Sequence, residues 1–281
     1  MTDARTVCYR HSDRPTGLSC TECGKPICVE CSHDAPVGQK CPECARHEGR
    51  GRVVDARQAV RGPSFETSPV TFSIIAITVA GFLFTSVIPS DAGDNLWREL
   101  VFFGPFVEDG EIWRMLTVTL LHGSWLHIGF NMYALYLFGP MLERQTGSVP
   151  FAAMYYASAA TGSLASLLFG ERGPAAVPAV GASGAIFGLF GAWLFVSYKI
   201  RSTPAGRAMF NQLSVLLAIN LALPFFVSRI DWRAHLGGLA GGVLIAFLWS
   251  QLAVGRPNAR AIRTVSAGAL LVAALVVGFV I

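Results

Sequence analysis

The sequence predicts an all-α polytopic membrane protein with seven spans, preceded by a small metal-binding domain. Of its 281 residues 52% are apolar and only 14% charged, against roughly 25% charged in an ordinary soluble domain. The mean hydropathy of +0.48 excludes disordered and collagen-like chains, which cannot combine it with so much Leu, Ile, Val and Phe. Seven stretches of at least 18 residues lack Asp, Glu, Lys and Arg, and all seven cysteines precede them, between Cys8 and Cys44. Two compositions imply two domains, and the expected boundaries are 1–47 for the metal-binding domain, 48–69 for a linker and 70–281 for the membrane domain.

The first element is defined by its thiols. Cys8-x2-His11, Cys20-x2-Cys23, Cys28-x2-Cys31 and Cys41-x2-Cys44 make four short pairs. Zinc takes four such ligands tetrahedrally, so eight make two closed structural sites with no open position for chemistry. Gly24 and Pro42 supply turn geometry where thiolates must converge. His33 and His47 could replace a ligand, and spacing leaves open whether alternate or successive pairs share an ion. A domain of this size folds poorly without such a staple. The pattern resembles a B-box-type zinc finger, and that likeness favours alternate pairing, a cross-brace. It also implies a cytoplasmic protein partner rather than nucleic acid, since the charge is balanced and forms no basic stripe.

Residues 48–69 carry Arg50, Arg52, Arg57 and Arg61 with Pro63 and Pro69, which reads as a flexible tether at the membrane surface. The chain start lacks a basic, then apolar, secretory pattern, so the first span is expected to act as its own insertion signal. The charge-free stretches are 67–90, 115–142, 145–170, 173–198, 208–228, 234–255 and 264–281, each long enough to cross a ~30 Å hydrocarbon layer as a helix. The connection 89–114 is apolar for a loop, with Leu96, Trp97, Leu100, Val101, Phe102 and Phe103, and is expected to lie partly embedded in the interface. Basic residues fix the orientation. A cytoplasmic N-terminus puts Arg144, Lys199, Arg201, Arg207, Arg256, Arg260 and Arg263 inside. Asp91, Asp94, Glu99, Glu108, Asp109 and Glu111 then face outward with Arg98, Arg114, Arg172, Arg229 and Arg233. Seven spans leave the C-terminus external.

Polar residues in spans are costly and therefore informative. His127 and Asn131 share one helix face. Gly181-Ala182-Ser183-Gly184 opens the fourth span, and Ala234-His235 opens the sixth near the same outer face. A nucleophile, a base and oxyanion donors at one depth are the parts for acyl transfer. Gly184 with Gly188, and Gly238 with Gly242, form small-xxx-small faces that allow the serine and histidine helices to pack closely.

Together with His122 and the pair Trp113-Arg114, these residues resemble a rhomboid intramembrane serine protease over 70–255. The likeness implies a six-helix core with the seventh span added at the C-terminal end. By that likeness Ser183 is the nucleophile and His235 its base, without an aspartate. His127, Asn131 and the Ser183 N–H form the oxyanion hole. Glu143, in the loop after the second span, and Arg114 play structural parts. Phe187 stands where many members place a tyrosine against the catalytic histidine, and Val118 where some carry a further histidine. The implied activity is cleavage of transmembrane helices near the outer face, in a bacterial plasma membrane. Its cofactors are two structural zinc ions, with none for catalysis. A catalytically silent rhomboid-fold binder or chaperone is the alternative. A metal transporter using His122, His127 and His235 would lack acidic partners, because the seven stretches hold none.

Overall fold

A computed structural model of the protein describes residues 6–34, 39–48, 63–171, 173–226 and 230–281. The chain forms two compact units, Met1–Gly62 and Pro63–Ile281. In the first, Val7 bridges Pro15 and Ser19 bridges Pro26. Strands β1 (His33–Asp34) and β2 (Gln39–Lys40) pair antiparallel, and helix α1 spans Pro42–Glu48. Its core consists of cysteine sulfurs around a fully buried Ile27. So little apolar material cannot offset chain entropy by itself. Of the expected linker 48–69, residues 49–62 with their four arginines lie outside the described residues, as do Arg172, Arg229 and the side chain of His47.

The second unit is helical. Its elements are α2 (Pro69–Phe82, continued by a π turn through Val87), α3 (Asp91–Leu100), α4 (Gly104–Glu108), α5 (Arg114–Thr117), α6 (Trp125–Thr146), α7 (Ser148–Phe169), α8 (Ser183–Lys199), α9 (Pro204–Ala222), α10 (Trp232–Leu252) and α11 (Ala259–Val280). The 69–87 helix, α9 with its extension to Phe225, α10 and α11 are each long and apolar enough to cross a membrane. Helices α7 and α8 are more polar or shorter for a physical reason. Twelve of the 22 residues of α7 and eleven of the 17 of α8 are buried, so protein rather than lipid surrounds them and their small and polar side chains are tolerated. The protein is an all-α polytopic membrane protein.

Helix ends follow local chemistry. Ser124 caps α6 by accepting the His127 N–H at 3.2 Å, and Thr203 caps α9 by accepting that of Gly206 at 3.0 Å. Gly147, at φ +96°, turns the chain between α6 and α7. Three expectations need correction. The stretch 115–142 is not one helix. After α5 and a 3-10 turn the chain is extended at Leu121, and α6 begins only at Trp125 and runs to Thr146. Glu143 consequently lies inside α6 rather than in a loop. The last helix starts at Ala259, five residues before the charge-free stretch, because Arg260 and Arg263 on its first turns can project away from hydrocarbon.

Glu143 explains its own placement. It is 1% exposed and accepts from the N–H groups of Val70 (3.0 Å) and Thr71 (2.8 Å), the Thr71 hydroxyl (2.7 Å) and the Ser148 hydroxyl (2.7 Å). It therefore caps α2 from a neighbouring helix and ties α7 to the same point. Ser68, at the start of α2, makes no side-chain capping bond of its own.

Candidate active site

The eight ligand candidates of the first unit fall into two groups, Cys8, His11, Cys28 and Cys31, and Cys20, Cys23, Cys41 and Cys44. Alternate pairs thus meet, which is the cross-braced order, and neither group includes His33. All seven thiols are free. His11 Nδ1 stands 3.4 Å from the sulfurs of Cys28 and Cys31 and 3.9 Å from that of Cys8, and the Cys23 and Cys41 sulfurs are 3.7 Å apart. A tetrahedron with Zn–S near 2.3 Å has edges of about 3.8 Å, so the donors fit such an ion in number, chemistry and spacing. Backbone N–H groups of Cys23 and Cys41 favour the Cys20 thiolate, drawing its pKa down to about 6 against the cost of burial. Gly24 has φ +73° and forms the turn that its sequence position suggested.

In the membrane unit, α8 and α10 bring Ser183 and His235 into contact. His235 Nε2 lies 2.8 Å from Ser183 Oγ. Phe187, one turn after the serine, stacks on the imidazole with ring centroids 4.2 Å apart and planes 9° apart, which fixes the ring plane without a hydroxyl. The close approach rests on glycine. A Cβ on Gly238 would overlap the Gly184 carbonyl, and one on Gly242 the Gly188 carbonyl. A Cβ on Gly162 of α7 would come within 2.8 Å of the Ala234 carbonyl. Three backbones therefore meet directly beneath the pair, and any larger residue would separate them. A serine hydroxyl held against an unprotonated imidazole nitrogen is the arrangement that generates an alkoxide nucleophile.

Ser183 is the first residue of α8, so the N–H groups of its first turn have no acceptor within the helix and point toward the serine end. Gly181, at φ +129°, turns the chain into that helix, and its N–H donates to the Val118 carbonyl at 3.0 Å. A side chain there would strike His127 Nε2, 2.7 Å from the Cβ position, which itself is 3.8 Å from Ser183 Oγ. His127 Nδ1 faces the Gly123 N–H at 3.5 Å, an arrangement that leaves Nε2 as the nitrogen bearing hydrogen on the serine side. Buried Asn131 donates one amide N–H to the His127 carbonyl at 2.9 Å and retains the other. His122 is fully buried, packs edge-on against His127 with centroids 4.8 Å apart, and faces the Ala182 N–H with Nε2 at 3.5 Å. It thus fixes the backbone just before the serine.

Trp113 and Arg114 lie apart from the serine and organise the 89–114 connection. Arg114, 3% exposed, pairs with Glu111 and donates to the carbonyls of Arg98 (2.5 Å) and Val101 (3.0 Å). Its guanidinium lies 4.7 Å from the Phe106 ring centroid, and Trp113 Nε1 donates to the Glu99 carbonyl at 3.2 Å. Phe102 bridges Ala179, which links this loop to the segment entering α8. Sequence reasoning missed Asp231 and Ser166. Asp231 caps α10, accepting from the N–H groups of Arg233 (3.1 Å) and Ala234 (3.2 Å), and accepts from the Ser166 hydroxyl of α7. An Asp just before an apolar run is a helix-start signal that could have revealed the first role.

Residues 109–252 match the rhomboid domain family. The rhomboid protease GluP of Bacillus subtilis (strain 168) is 36% identical over 219 residues, 76% of this chain and 41% of its own length. The putative rhomboid protease YdcA of the same organism is 36% identical over 197 residues, 68% of this chain and 96% of its own. The rhomboid protease GlpG of Haemophilus influenzae is 35% identical over 150 residues, 52% of this chain and 73% of its own. The match thus spans less than half of GluP and nearly all of YdcA. On the matched domain and on its likeness to YdcA across almost that protein's full length, the chain belongs to the rhomboid family.

Proposed function

We propose that this chain is an intramembrane serine endopeptidase that cleaves transmembrane helices of other proteins near the outer face of a bacterial plasma membrane. The observation that carries the reading is the 2.8 Å contact between Ser183 Oγ and His235 Nε2 at the start of two tightly packed helices. Ser183 attacks the scissile carbonyl while His235 takes the hydroxyl proton. Negative charge on the carbonyl oxygen is received by the Ser183 N–H, the His127 Nε2–H and the free Asn131 N–H, helped by the α8 dipole. His235 then gives its proton to the leaving amine, and a water activated by the same imidazole hydrolyses the acyl-enzyme. Gly181, His122 and Phe187 hold this geometry, Gly184, Gly238 and Gly242 permit it, and Trp113, Arg114 and Glu143 keep the surrounding scaffold in place.

A helix hides its carbonyls in its own hydrogen bonds, so favoured substrates carry Gly, Pro or other weak helix formers near the cut. The N-terminus with its B-box-like domain, residues 1–47, is cytoplasmic, the linker covers 48–69, the protease domain 70–281, and the C-terminus is external, as the basic connections favour. Cys8, His11, Cys28 and Cys31 hold one structural zinc, and Cys20, Cys23, Cys41 and Cys44 a second. These supply folding energy and leave the domain free to engage a cytoplasmic protein partner. The test is cleavage of a purified single-span substrate in proteoliposomes. Wild type cuts within the membrane helix, and Ser183→Ala and His235→Ala do not. Equal cutting by wild type and Ser183→Ala refutes the assignment.

A further inference from the structure

Among the described residues no acidic side chain hydrogen-bonds the far nitrogen of His235. Its Nδ1 is buried and meets no hydrogen-bond acceptor among the described residues. Phe187 sets the plane of the imidazole from one side, and its placement along α8 is left to the helix that carries it. That helix is capped by Asp231, one turn earlier, and Asp231 grips its first turn at three points. Its Oδ1 accepts from the N–H groups of Arg233 at 3.1 Å and Ala234 at 3.2 Å, and its carbonyl accepts the His235 N–H at 3.3 Å. The other carboxylate oxygen leaves the helix and accepts from the Ser166 hydroxyl on α7.

Ser166 is buried and lies one turn from Gly162 on the same face of α7. Gly162 is where the α7 backbone meets the Ala234 carbonyl and the Gly184 Cα. The first turn of α10 is thus pressed on Gly162 and bonded to Ser166 at neighbouring points. The bond is part-buried, and its acceptor is a carboxylate oxygen, the kind that makes a hydrogen bond stronger than a neutral pair.

We propose that Asp231 and Ser166 form a clamp that positions His235 for the reaction: Asp231 caps the α10 terminus and the Ser166 hydroxyl anchors that cap to α7. Asp231 is a positioning residue and not a third catalytic member, because both of its carboxylate oxygens are engaged away from His235. The inference rests on the reading of Ser183 and His235 as the reacting pair, and Ser183→Ala checks that reading separately.

The test compares kcat and KM for a single-span substrate in proteoliposomes across wild type, Asp231→Ala, Asp231→Asn and Ser166→Ala, with the melting temperature of each in detergent. Misplacing a reacting group by about 1 Å can cost ~100-fold. Asp231→Ala is therefore expected to lower kcat by about 10- to 100-fold with KM within about twofold. Ser166→Ala, which keeps the cap and removes the anchor, should lower kcat by about 3- to 10-fold while lowering the melting temperature by no more than about 10 °C, the loss of one hydrogen bond to a charged group. Asp231→Asn can still accept the two backbone N–H groups and donate to Ser166, so it should recover most of the loss. Wild-type kcat in Asp231→Ala overturns the clamp while leaving the reacting pair intact. An asparagine variant as slow as the alanine variant overturns it too, since the carboxylate charge rather than the anchored cap would then be at work. If Asp231→Ala does not fold, the Ser166→Ala result decides alone, and wild-type kcat there counts against the clamp.

Discussion

Removing the Glu143 carboxylate should destabilise the membrane unit as much as truncating a large apolar side chain in its core. The side chain is buried and receives four donors from two elements: the α2 N–H groups of Val70 and Thr71 with the Thr71 hydroxyl, and the Ser148 hydroxyl of α7. In Glu143→Ala the two hydroxyls can turn to other acceptors, but the two N–H groups cannot, and each unsatisfied buried donor costs about 1–3 kcal/mol. The loss is therefore about 2–6 kcal/mol. In Glu143→Gln one oxygen still serves the Thr71 pair while the new NH2 group faces the Ser148 hydroxyl and the Val70 N–H. Only the Val70 donor is then stranded, for about 2 kcal/mol. Equilibrium unfolding in mixed detergent micelles, followed by far-ultraviolet circular dichroism, reads both values. An alanine variant within 1 kcal/mol of wild type, or a glutamine variant as unstable as alanine, would refute this account of the carboxylate.

Gly242→Val should separate α8 from α10, because even a Cβ there overlaps the Gly188 carbonyl; cleavage is expected to fall by at least about 100-fold, and a variant cutting at half the wild-type rate would contradict the packing argument. Metal analysis of the purified full chain should give two zinc ions, and a strong chelator should erase the amide protection of residues 6–48 while leaving that of α7 and α8 unchanged. One ion, or protection that survives chelation, would count against the two closed sites. Reporter fusions should place residue 1 in the cytoplasm and Ile281 outside; a cytoplasmic C-terminus would mean that α11 does not cross the bilayer.

Much of the membrane unit could be read in the sequence because hydrocarbon penalises charge so heavily that its absence marks helices. The approach of α8 to α10 was legible in Gly184, Gly188, Gly238 and Gly242, since only glycine lets two helix backbones touch. The same criterion failed at Glu143. Counting charge-free residues ends a span at any carboxylate, whereas this one is solvated by four protein donors and continues the helix. The start of α6 was hidden for a related reason, because the charge-free stretch passes without interruption through Leu121–Gly123 and only the Ser124 cap marks the true beginning. The pairing of metal ligands could not follow from equal Cys-x2-Cys spacings, which carry no information about which pairs meet in space. Asp231 carries a local signal only for its role as a cap. Its bond to Ser166 joins residues 65 apart in the chain, and no local pattern encodes such a contact.

If His235 makes the Ser183 hydroxyl nucleophilic, as proposed, an active-site-directed fluorophosphonate will react with that serine and depend on that histidine. The full-length protein in detergent is treated with the reagent, digested and mapped by mass spectrometry. The account predicts a single phosphonyl adduct, on Ser183, that forms at least about 100-fold more slowly in His235→Ala although that variant remains folded. An adduct on another residue, or equal labelling of Ser183 without His235, would contradict it.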